Sequence, residues 1–417
     1  MSAASAPVSV SPPDSLLPGS ASSSQRAATL GVIGGGQLGR MFVHAAQAMG
    51  YRVVVLDPDP RSPAGQAADE HLLADYLDAA ALQRLGLACD AVTTEFENVP
   101  AAALSQLALT RWVTPGAEAV AVCQHRAREK ARFVASAVPC VPYGALESAQ
   151  DIAQLNDDLF PAIVKTSTLG YDGKGQIRVA SRQALATAWE TLGGGPCLVE
   201  KQVPLQAEFS VIVARNARGE CVHLPVQQNL HRQGILFTTQ VPAPDLPEQA
   251  REQALAYADR LAADLNYVGV LCVEFFLLTD GRILANEMAP RPHNSGHYSI
   301  DACDISQFEL QVRTLAGLPL VRPSLLAPCI MINLLGDLWW TGPASEPHSP
   351  PWDRVLALPG VHLHLYGKAE PRRGRKMGHV TITAADGSTL AEVTDQVMQA
   401  LGLSAPGVES HAHSSRG

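Results

Sequence analysis

Two acidic residues oppose each other in a predicted hairpin and are the first candidates for chemistry. The stretch VEFFLLTDGRILANE, residues 273–287, has two apolar runs around a Thr-Asp-Gly turn, which indicates a β-hairpin. Counting outward from the turn places Glu274 within about one residue of opposite Glu287. Paired carboxylates are costly to bury without a cation, and Mg²⁺ prefers carboxylates together with phosphate oxygens. We therefore predict that Glu274 and Glu287 bind magnesium; a protonated or solvated pair is the alternative.

A dense polar run, MAPRPHNSGH at residues 288–297, follows the second strand of this hairpin. It holds more polar side chains than a turn requires. Arg291 and His293 lie two residues apart beside the predicted metal site, so we interpret both as substrate contacts. The alternative for His293 is an ordinary structural histidine.

A glycine-rich loop, GYDGKGQ at residues 170–176, lies between a predicted strand that holds Lys165 and another at about residues 176–179. It is not a Walker A loop, because it lacks a terminal Lys followed by Ser or Thr and no helix follows it. A glycine-rich hairpin of this kind can lay its backbone amides over nucleotide phosphates, as in kinases. The pattern predicts a nucleotide flap; an ordinary mobile hairpin is the alternative.

A second glycine-rich turn, GVIGGGQLGR at residues 31–40, stands near the N-terminus. Gly34, Gly36 and Gly39 have the G-x-G-x-x-G spacing, and Asp57 follows about 20 residues later, where a dinucleotide-binding domain holds the ribose. Other doubly wound domains use the same glycines only to turn tightly and pack helix on strand. This pattern alone therefore leaves dinucleotide binding open.

The region around this turn alternates strand and helix, which predicts a parallel sheet with crossover helices. Glu95 and Glu97 follow its fourth strand, at the edge where open α/β sheets bind ligands. A ligand contact and an N-terminal acid of the next helix are equally good interpretations of Glu95. The four predicted strands are Leu30–Ile33, Val53–Leu56, His71–Ala74 and Ala91–Thr94.

The C-terminal part contains a strongly basic segment, KAEPRRGRK, which has five cations in residues 368–376 of an acidic protein. Such a segment indicates either a phosphate anchor or a solvated hairpin tip. His362 and His364 alternate along a predicted strand before it. Because the sequence reveals no third ligand for them, we interpret the two histidines as structural rather than as a metal site.

Length and composition limit the class of protein. A chain of 417 residues exceeds one hydrophobic core, so two or three domains are expected. The net charge of −9 argues against a general nucleic-acid binder, and no apolar run is long enough to span a bilayer. The eight cysteines include no C-x-x-C pair, which favours reduced thiols and predicts a cytoplasmic protein.

These motifs together resemble a known family. GGGQLGR, EFENV, GYDGKGQ, VEFF, NEMAPRPHNSGH, INLLGD, YGK and GRKMGH occur in this order between about residues 29 and 400. The set is similar to that of the N5-carboxyaminoimidazole ribonucleotide synthetases, ATP-grasp enzymes of bacterial purine synthesis. The resemblance implies that ATP, 5-aminoimidazole ribonucleotide and bicarbonate yield N5-carboxyaminoimidazole ribonucleotide, ADP and phosphate. It also implies Mg²⁺, a homodimer, and no nucleic-acid or membrane partner.

The resemblance further implies a fold of mixed α/β and α+β type. An ATP-grasp fold is preceded by a Rossmann-like preATP-grasp domain that holds no NAD, and is followed by a small β-rich C-terminal domain. The expected boundaries are a disordered extension 1–27, the preATP-grasp domain 28–125, the ATP-grasp domain 126–321 with a flap at about 140–205, the C-terminal domain 322–403 and a flexible tail 404–417.

Site residues follow from the same resemblance, motif by motif. The implied ATP contacts are Arg126, Lys165, Gly170, Tyr171, Asp172, Gly173, Lys174, Gly175, Gln176, Glu200, Lys201, Gln202, Val203, Glu208, His231, Asn286 and Glu287. The implied aminoimidazole ribonucleotide contacts are Gln37, Glu95, Tyr171, Asp172, Arg291, His293, Lys368 and Arg375, the last two at its phosphate. Asp172, Arg291 and His293 are the implied catalytic residues, with His293 the candidate for proton transfer.

Two other functions remain open at this point. A formate-using glycinamide ribonucleotide transformylase shares the glycine-rich opening and the flap, but HNSGH and GRKMGH favour the carboxylating enzyme. An NAD-dependent oxidoreductase would use the first glycine turn and would leave the nucleotide-flap half of the chain unexplained.

Overall fold

The structure is a computed structural model that describes residues 10–19, 27–168, 170, 175–340 and 346–404. Within these ranges, no helix combines the length and apolar content needed to cross a membrane.

The first module alternates strands and helices as predicted. Its elements are β1 (Thr29–Ile33), α1 (Gln37–Ala48), β2 (Arg52–Leu56), β3 (Glu70–Leu72), α2 (Ala79–Ala88), β4 (Ala91–Thr94), α3 (Ala101–Ala108) and β5 (Trp112–Val113). The strands form a parallel sheet in the order β3-β2-β1-β4-β5. Successive side chains of β1 point to opposite faces of the sheet. Val32 therefore packs in the core with α1, and Ile33 packs in the core with α2 and α3.

The predicted strands of this module are confirmed, although β1 and β2 each begin one residue earlier than predicted and the third strand differs at both ends. The third strand covers Glu70–Leu72 rather than His71–Ala74, because its ladder with β2 starts at Val54 and stops at Leu56, the last residue of β2.

Two helices, α4 (Ala117–Cys123) and α5 (Arg126–Ala135), lead from this module into a small antiparallel sheet. That sheet contains β6 (Tyr143–Leu146), β7 (Ala162–Thr166), β8 (Gln176–Val179) and β9 (Cys197–Lys201), in the order β6-β9-β7-β8, with helix α6 (Arg182–Thr191). The glycine-rich loop joins β7 to β8. Lys165 therefore stands one residue before the end of β7, opposite Gln176.

The remaining strands form one large sheet. The N-terminal part of this region of the chain contains the strands β10 (Leu205–Arg215), β11 (Cys221–His223), β12 (Gln227–Arg232), β13 (Ile235–Val241), β14 (Gly269–Leu278) and β15 (Ile283–Ala289), together with the helices α7 (Glu248–Asp264), α8 (Ser299–Ala302) and α9 (Gln307–Leu315). Its C-terminal part contains β16 (Cys329–Leu335), α10 (Trp352–Leu356), β17 (Val361–Leu365), β18 (Lys376–Thr383) and α11 (Gly387–Leu401).

The C-terminal strands continue the same sheet. The strand order is β15-β14-β10-β12-β13-β16-β18-β17, and β16 pairs directly with β13, Thr238 opposite Ile332. A shared core also links α9 to the first module, since Phe308 and Val312 pack in the same cluster as Phe42. The first module and the two parts of the large sheet therefore form one framework around their junction.

Part of the segment that we predicted to be disordered lies against this framework. The Leu16 N–H donates to the Ala316 carbonyl at 2.8 Å, and the Leu16 carbonyl accepts from the Tyr51 hydroxyl. Residues 10–19 thus contact both the first module and the end of α9; most of the remaining extension and the tail lie outside the described residues.

Candidate active site

A cavity of about 690 Å³ lies where the first module, the β14–β15 hairpin and the β17–β18 connection meet. One part of its wall carries the acidic hairpin and another carries the basic segment 368–376. The predicted site residues that line it are Gln37, Glu95, Arg126, Gly170, Glu274, Glu287, Arg291, His293, Lys368 and Arg375. Residues far apart in the chain therefore share one space of a size suited to small-molecule ligands.

The acidic hairpin has the predicted register. Glu274 on β14 pairs directly with Glu287 on β15, and a bulge follows between Glu274 and Phe275. Arg126, the first residue of α5, places its Nη1 2.9 Å from Glu287 Oε2. Arg126 therefore forms an ion pair on the Glu287 side of the two carboxylates.

The two carboxyl groups differ in their electrostatics. Burial raises the pKa of Glu274, and the adjacent Glu287 charge raises it further. Burial also acts on Glu287, but Arg126 and then Lys165 hold its pKa below the ordinary range. Glu287 is thus ionised, while Glu274 retains a proton more readily. A divalent cation would offset both charges, so this donor set fits Mg²⁺.

A buried ion-pair cluster lies at strands β7 and β9 of the small antiparallel sheet β6–β9, which we call the flap sheet. Glu200 contacts two ammonium groups, Lys165 Nζ and Lys130 Nζ, the latter at 2.8 Å. Burial alone would raise the pKa of Glu200, yet the two lysines lower it to about 2. Lys130 Nζ also donates to the Asn286 carbonyl at 2.7 Å. This cluster links the flap sheet to the acidic hairpin and holds Lys165 in place.

The connector after Glu200 is held by backbone hydrogen bonds. Lys201 N–H donates to the Pro142 carbonyl at 2.9 Å, and Gln202 N–H to the Pro161 carbonyl at 2.8 Å. These bonds fix the chain just before Val203.

Glu208 and His231 form the next pair, on strands β10 and β12. Glu208 contacts His231 Nδ1. Burial would lower the pKa of His231, but the Glu208 hydrogen bond and charge raise it to about 9. His231 is therefore a cation near neutral pH, beside the acidic hairpin.

The polar run after β15 is buried and internally bonded. Arg291 pairs with Glu97, and burial with the Arg291 charge lowers the pKa of His293 well below its usual value. His293 Nδ1 lies 2.8 Å from Ser295 Oγ, while its Nε2 lies 3.5 Å from Glu274 Oε1. His293 is thus a neutral imidazole that faces the acidic hairpin.

The basic segment lines the cavity rather than extending away from the site. Lys368 Nζ donates to the Lys376 carbonyl at 2.7 Å, and Arg375 Nη1 donates to the Glu370 carbonyl at 3.1 Å. All five of its cations, including Arg372 and Arg373, border the cavity. This position favours the phosphate-anchor interpretation over the solvated tip.

The first glycine turn is already bonded to the protein's own acids. Glu95 accepts from the N–H groups of Gly36 at 2.7 Å and Gly39 at 2.8 Å, and Asp57 accepts from Gly35 N–H at 2.7 Å. A dinucleotide pyrophosphate binds through amides at such a helix N-terminus. Here the Glu95 carboxylate occupies that position, at the N-terminus of α1. The alternative interpretation of Glu95, as an N-terminal acid of the helix that follows it in the chain, was therefore wrong.

Several predicted site residues lie outside the described residues or beside the cavity. Tyr171, Asp172, Gly173 and Lys174 lie outside the described residues. Gly175 and Gln176 begin the returning flap strand, and the Gly175 carbonyl accepts from Thr166 N–H at 2.9 Å.

Sequence reasoning did not identify Glu129, Lys130 or Asn294. Glu129 and Lys130 occupy buried positions of α5. Charged residues on the apolar side of a helix were the feature of the sequence that could have identified them. Burial and then the Glu287 charge raise the pKa of Glu129 to about 8. Asn294 lines the cavity, is buried, and has no hydrogen-bond partner for its amide within the described ranges.

Family models match the chain in three consecutive stretches. Residues 27–124 match the ribonucleotide synthetase preATP-grasp domain, residues 131–308 the ATP-grasp domain, and residues 329–393 the phosphoribosylaminoimidazole carboxylase C-terminal domain. These matches, together with the flap sheet and the acidic hairpin, place the protein in the class of the ATP-grasp ligases.

Individual relatives narrow this class. The N5-carboxyaminoimidazole ribonucleotide synthase of Bacillus subtilis is 40% identical over 89% of this chain and 96% of its own length. The enzyme of the same name from Brucella melitensis is 42% identical over 85% and 95%. The N5-carboxyaminoimidazole synthase of Aspergillus clavatus, solved with ADP and 5-aminoimidazole ribonucleotide, superposes with a TM-score of 0.82 at 31% identity, covering 90% of this chain and 98% of that one. The chain belongs to the N5-carboxyaminoimidazole ribonucleotide synthase family.

Proposed function

We propose that this protein carboxylates 5-aminoimidazole ribonucleotide at the expense of ATP, giving N5-carboxyaminoimidazole ribonucleotide, ADP and phosphate in purine biosynthesis. The observation that carries the proposal is the shared cavity, which places a paired-carboxylate hairpin and a five-cation segment within one space. Family membership supports the same reaction.

We assign the nucleotide to the region between the flap sheet and the acidic hairpin, which borders the cavity. Lys165 faces the phosphates, Glu208 the ribose, and the connector 201–203 the adenine. Mg²⁺, bound by Glu274 and Glu287, supplies charge neutralisation during phosphoryl transfer. Arg126 binds the same Glu287 and supports the triphosphate. The remaining predicted ATP contacts, Gly170, Gly175, Gln176, Glu200, His231 and Asn286, surround these groups.

We assign the ribonucleotide to the part of the cavity lined by the basic segment and the polar run after β15. Lys368 and Arg375 bind its 5′-phosphate, because charge-assisted contacts with phosphate are strong and directional. Arg291 and His293 face the aminoimidazole, and the free amide of Asn294 adds a polar contact there. Gln37 borders the same region. Tyr171 and Asp172, proposed from the motif alone, complete the set.

The chemistry requires two consecutive transfers. A bicarbonate oxygen attacks the γ-phosphorus and ADP leaves, which forms carboxyphosphate. The amine nitrogen then forms a bond to the carboxyl carbon, phosphate leaves, and the amine loses a proton. Neutral His293 is a suitable acceptor for that proton. Carboxyphosphate hydrolyses readily, so we expect the flap to close over the site and exclude water.

We further propose a cytoplasmic homodimer that uses bicarbonate as the carboxyl source. These assignments rest on family likeness and the reduced-cysteine pattern. Analytical ultracentrifugation tests the dimer, since a single monomeric species at micromolar concentration would contradict it.

The deciding experiment measures ADP formation with each substrate omitted in turn. The proposal requires turnover only when ATP, aminoimidazole ribonucleotide and bicarbonate are all present at saturating concentrations, after correction for slow uncoupled hydrolysis. Turnover with formate and glycinamide ribonucleotide instead would assign the chain to the transformylase reaction.

A further inference from the structure

A second group of potential ligands lies outside the residues that line the cavity. Asp301 on α8, His364 on β17 and His379 on β18 each offer one ligand atom, and these atoms lie within 4.8 Å of one another. The sequence had shown only His362 and His364 here, without a third ligand. The fold supplies two further groups, one from a helix more than sixty residues earlier and one from the neighbouring strand.

The geometry of the group is defined by the β17–β18 hairpin. His364 and His379 are directly paired across the ladder, with ring centres 4.5 Å apart and planes 16° from parallel. His364 Nε2 lies 2.9 Å from Asp301 Oδ2 and 3.2 Å from Oδ1. The carboxylate thus lies directly beside one of the two stacked imidazoles.

His379 has a nitrogen that nothing described satisfies. Its side chain is fully buried, its Nδ1 lies 2.9 Å from the Tyr366 hydroxyl, and its Nε2 has no hydrogen-bond partner in the described part of the chain. A buried polar atom left unpaired is costly, which makes this nitrogen a candidate to bind a ligand. When Nδ1–H donates to Tyr366, Nε2 presents a lone pair, which is the form in which imidazole binds metals.

We propose that Asp301, His364 and His379 bind a divalent transition-metal ion, with Zn²⁺ as the representative ion. Two imidazoles and one carboxylate suit zinc or its first-row neighbours, whereas Mg²⁺ prefers oxygen ligands. A tetrahedral ion held by these three ligands would take its fourth ligand from water or from a neighbouring side chain such as His362, whose Nδ1 lies 3.8 Å from Asp301 Oδ1. Tyr366 acts as the outer partner that orients His379.

Binding requires only a local adjustment. Ligands of a tetrahedral zinc ion lie roughly 3.3 Å apart, given zinc–nitrogen bonds of about 2 Å. The three ligand atoms lie within 4.8 Å of one another, and Asp301 and His364 are half-buried whereas His379 is buried, so the proposal requires the first two side chains to move towards His379. The ion would join α8 to the β17–β18 hairpin, whose connection carries the basic segment of the active site.

The test uses the full-length protein, freed of metal by chelation and titrated with ZnCl₂ in excess Mg²⁺. Calorimetry and thermal unfolding report binding, and Co²⁺ substitution reports the ligand field by visible absorption. Neither readout depends on catalysis. We expect a zinc site of micromolar or tighter affinity that raises the melting temperature, and a Co²⁺ spectrum of nitrogen–oxygen ligation.

Three variants locate the site. His364→Gln and Asp301→Asn remove partly exposed ligands, and each should weaken Zn²⁺ binding by on the order of a hundredfold, since even outer partners of metal ligands contribute 10–100-fold. Tyr366→Phe removes only the hydroxyl that orients His379 and should weaken binding roughly tenfold.

The matched control is His223→Gln. His223 Nε2 lies 2.7 Å from Asp259 Oδ1, so the chain has a second histidine–aspartate pair that belongs to no three-ligand group in the described ranges. This variant should bind Zn²⁺ like the parent protein. Zinc affinity unchanged in both His364→Gln and Asp301→Asn, or no melting shift in the parent protein, would overturn the proposal.

Discussion

The glycine turn at the start of the chain and the β14–β15 hairpin both bury acidic side chains, but they treat them differently. Glu95 and Asp57 accept hydrogen bonds from three amides of the turn, whereas Glu274 and Glu287 oppose each other, with Arg126 in contact with Glu287. An acid whose oxygens are already bonded by backbone has a structural task. Two acids that face each other in a cavity form a binding site for a cation that binds together with a ligand.

The largest expected effect is loss of turnover in Glu287→Gln. The change removes a ligand charge but keeps the shape, and loss of the positioned cation withdraws several kcal/mol from phosphoryl transfer, so we expect at least about a thousandfold lower kcat. Steady-state ADP formation measures it, with circular dichroism as the check on folding. A folded variant with near-normal turnover would place the metal elsewhere.

Ligand-induced stabilisation tests the same comparison without mutation. MgATP at a hundredfold excess over its Kd should stabilise the protein by about 2.7 kcal/mol. NADH should produce no shift, because Glu95 occupies the amides that a pyrophosphate needs. Differential scanning fluorimetry with each nucleotide decides, and the reverse pattern would contradict both site assignments.

Arg375→Ala probes the basic segment that lines the cavity. Loss of a charge-assisted phosphate contact costs roughly 1.5–3 kcal/mol, so KM for aminoimidazole ribonucleotide should rise about tenfold or more. KM for ATP should hardly change. Equal weakening of both substrates would show that the cation serves the other ligand.

Glu95→Gln should affect stability rather than phosphoryl transfer. The amide can accept from one glycine N–H, but its NH₂ then faces the other donor, which costs about 1–3 kcal/mol. Urea unfolding measures the loss, and Glu287→Gln serves as the comparison. If Glu95→Gln instead left stability unchanged and abolished turnover, the structural interpretation of this acid would be wrong.

The smallest effect concerns pH. Glu129 has a pKa of about 8 in the folded protein, against an ordinary 4.5. Between these values the unfolded chain has lost a proton that the native protein keeps, so the contribution of Glu129 is present at low pH and is lost as pH rises towards 8. Between pH 6.5 and 8 this loss should amount to about 1–2 kcal/mol, in addition to the contribution of His231, whose raised pKa makes its stabilisation fall over the same range.

Glu129→Gln is the control for this slope. Its free energy of unfolding should fall less between pH 6.5 and 8 than that of the parent protein. Parallel pH profiles of the two proteins would mean that Glu129 is ionised in the fold.

The sequence predicted local features well and distant ones poorly. The Glu274–Glu287 register follows from a tight turn and two apolar runs, and the first sheet follows from alternating periodicity. The Glu200 cluster needed Lys130 from a helix that precedes the flap, and Asp301 reached His364 only through the packing of α8 against β18. Such contacts depend on tertiary placement, which has no local signal in one sequence.

The pairing of β16 with β13 also determines what happens if the chain is cut. Removal of residues 322–403 would leave β13 with a row of unpaired amides and carbonyls on a formerly internal side. An uncovered strand of this kind is a template for association with other chains. A truncated protein should therefore aggregate instead of persisting as a smaller, inactive ATP-binding unit.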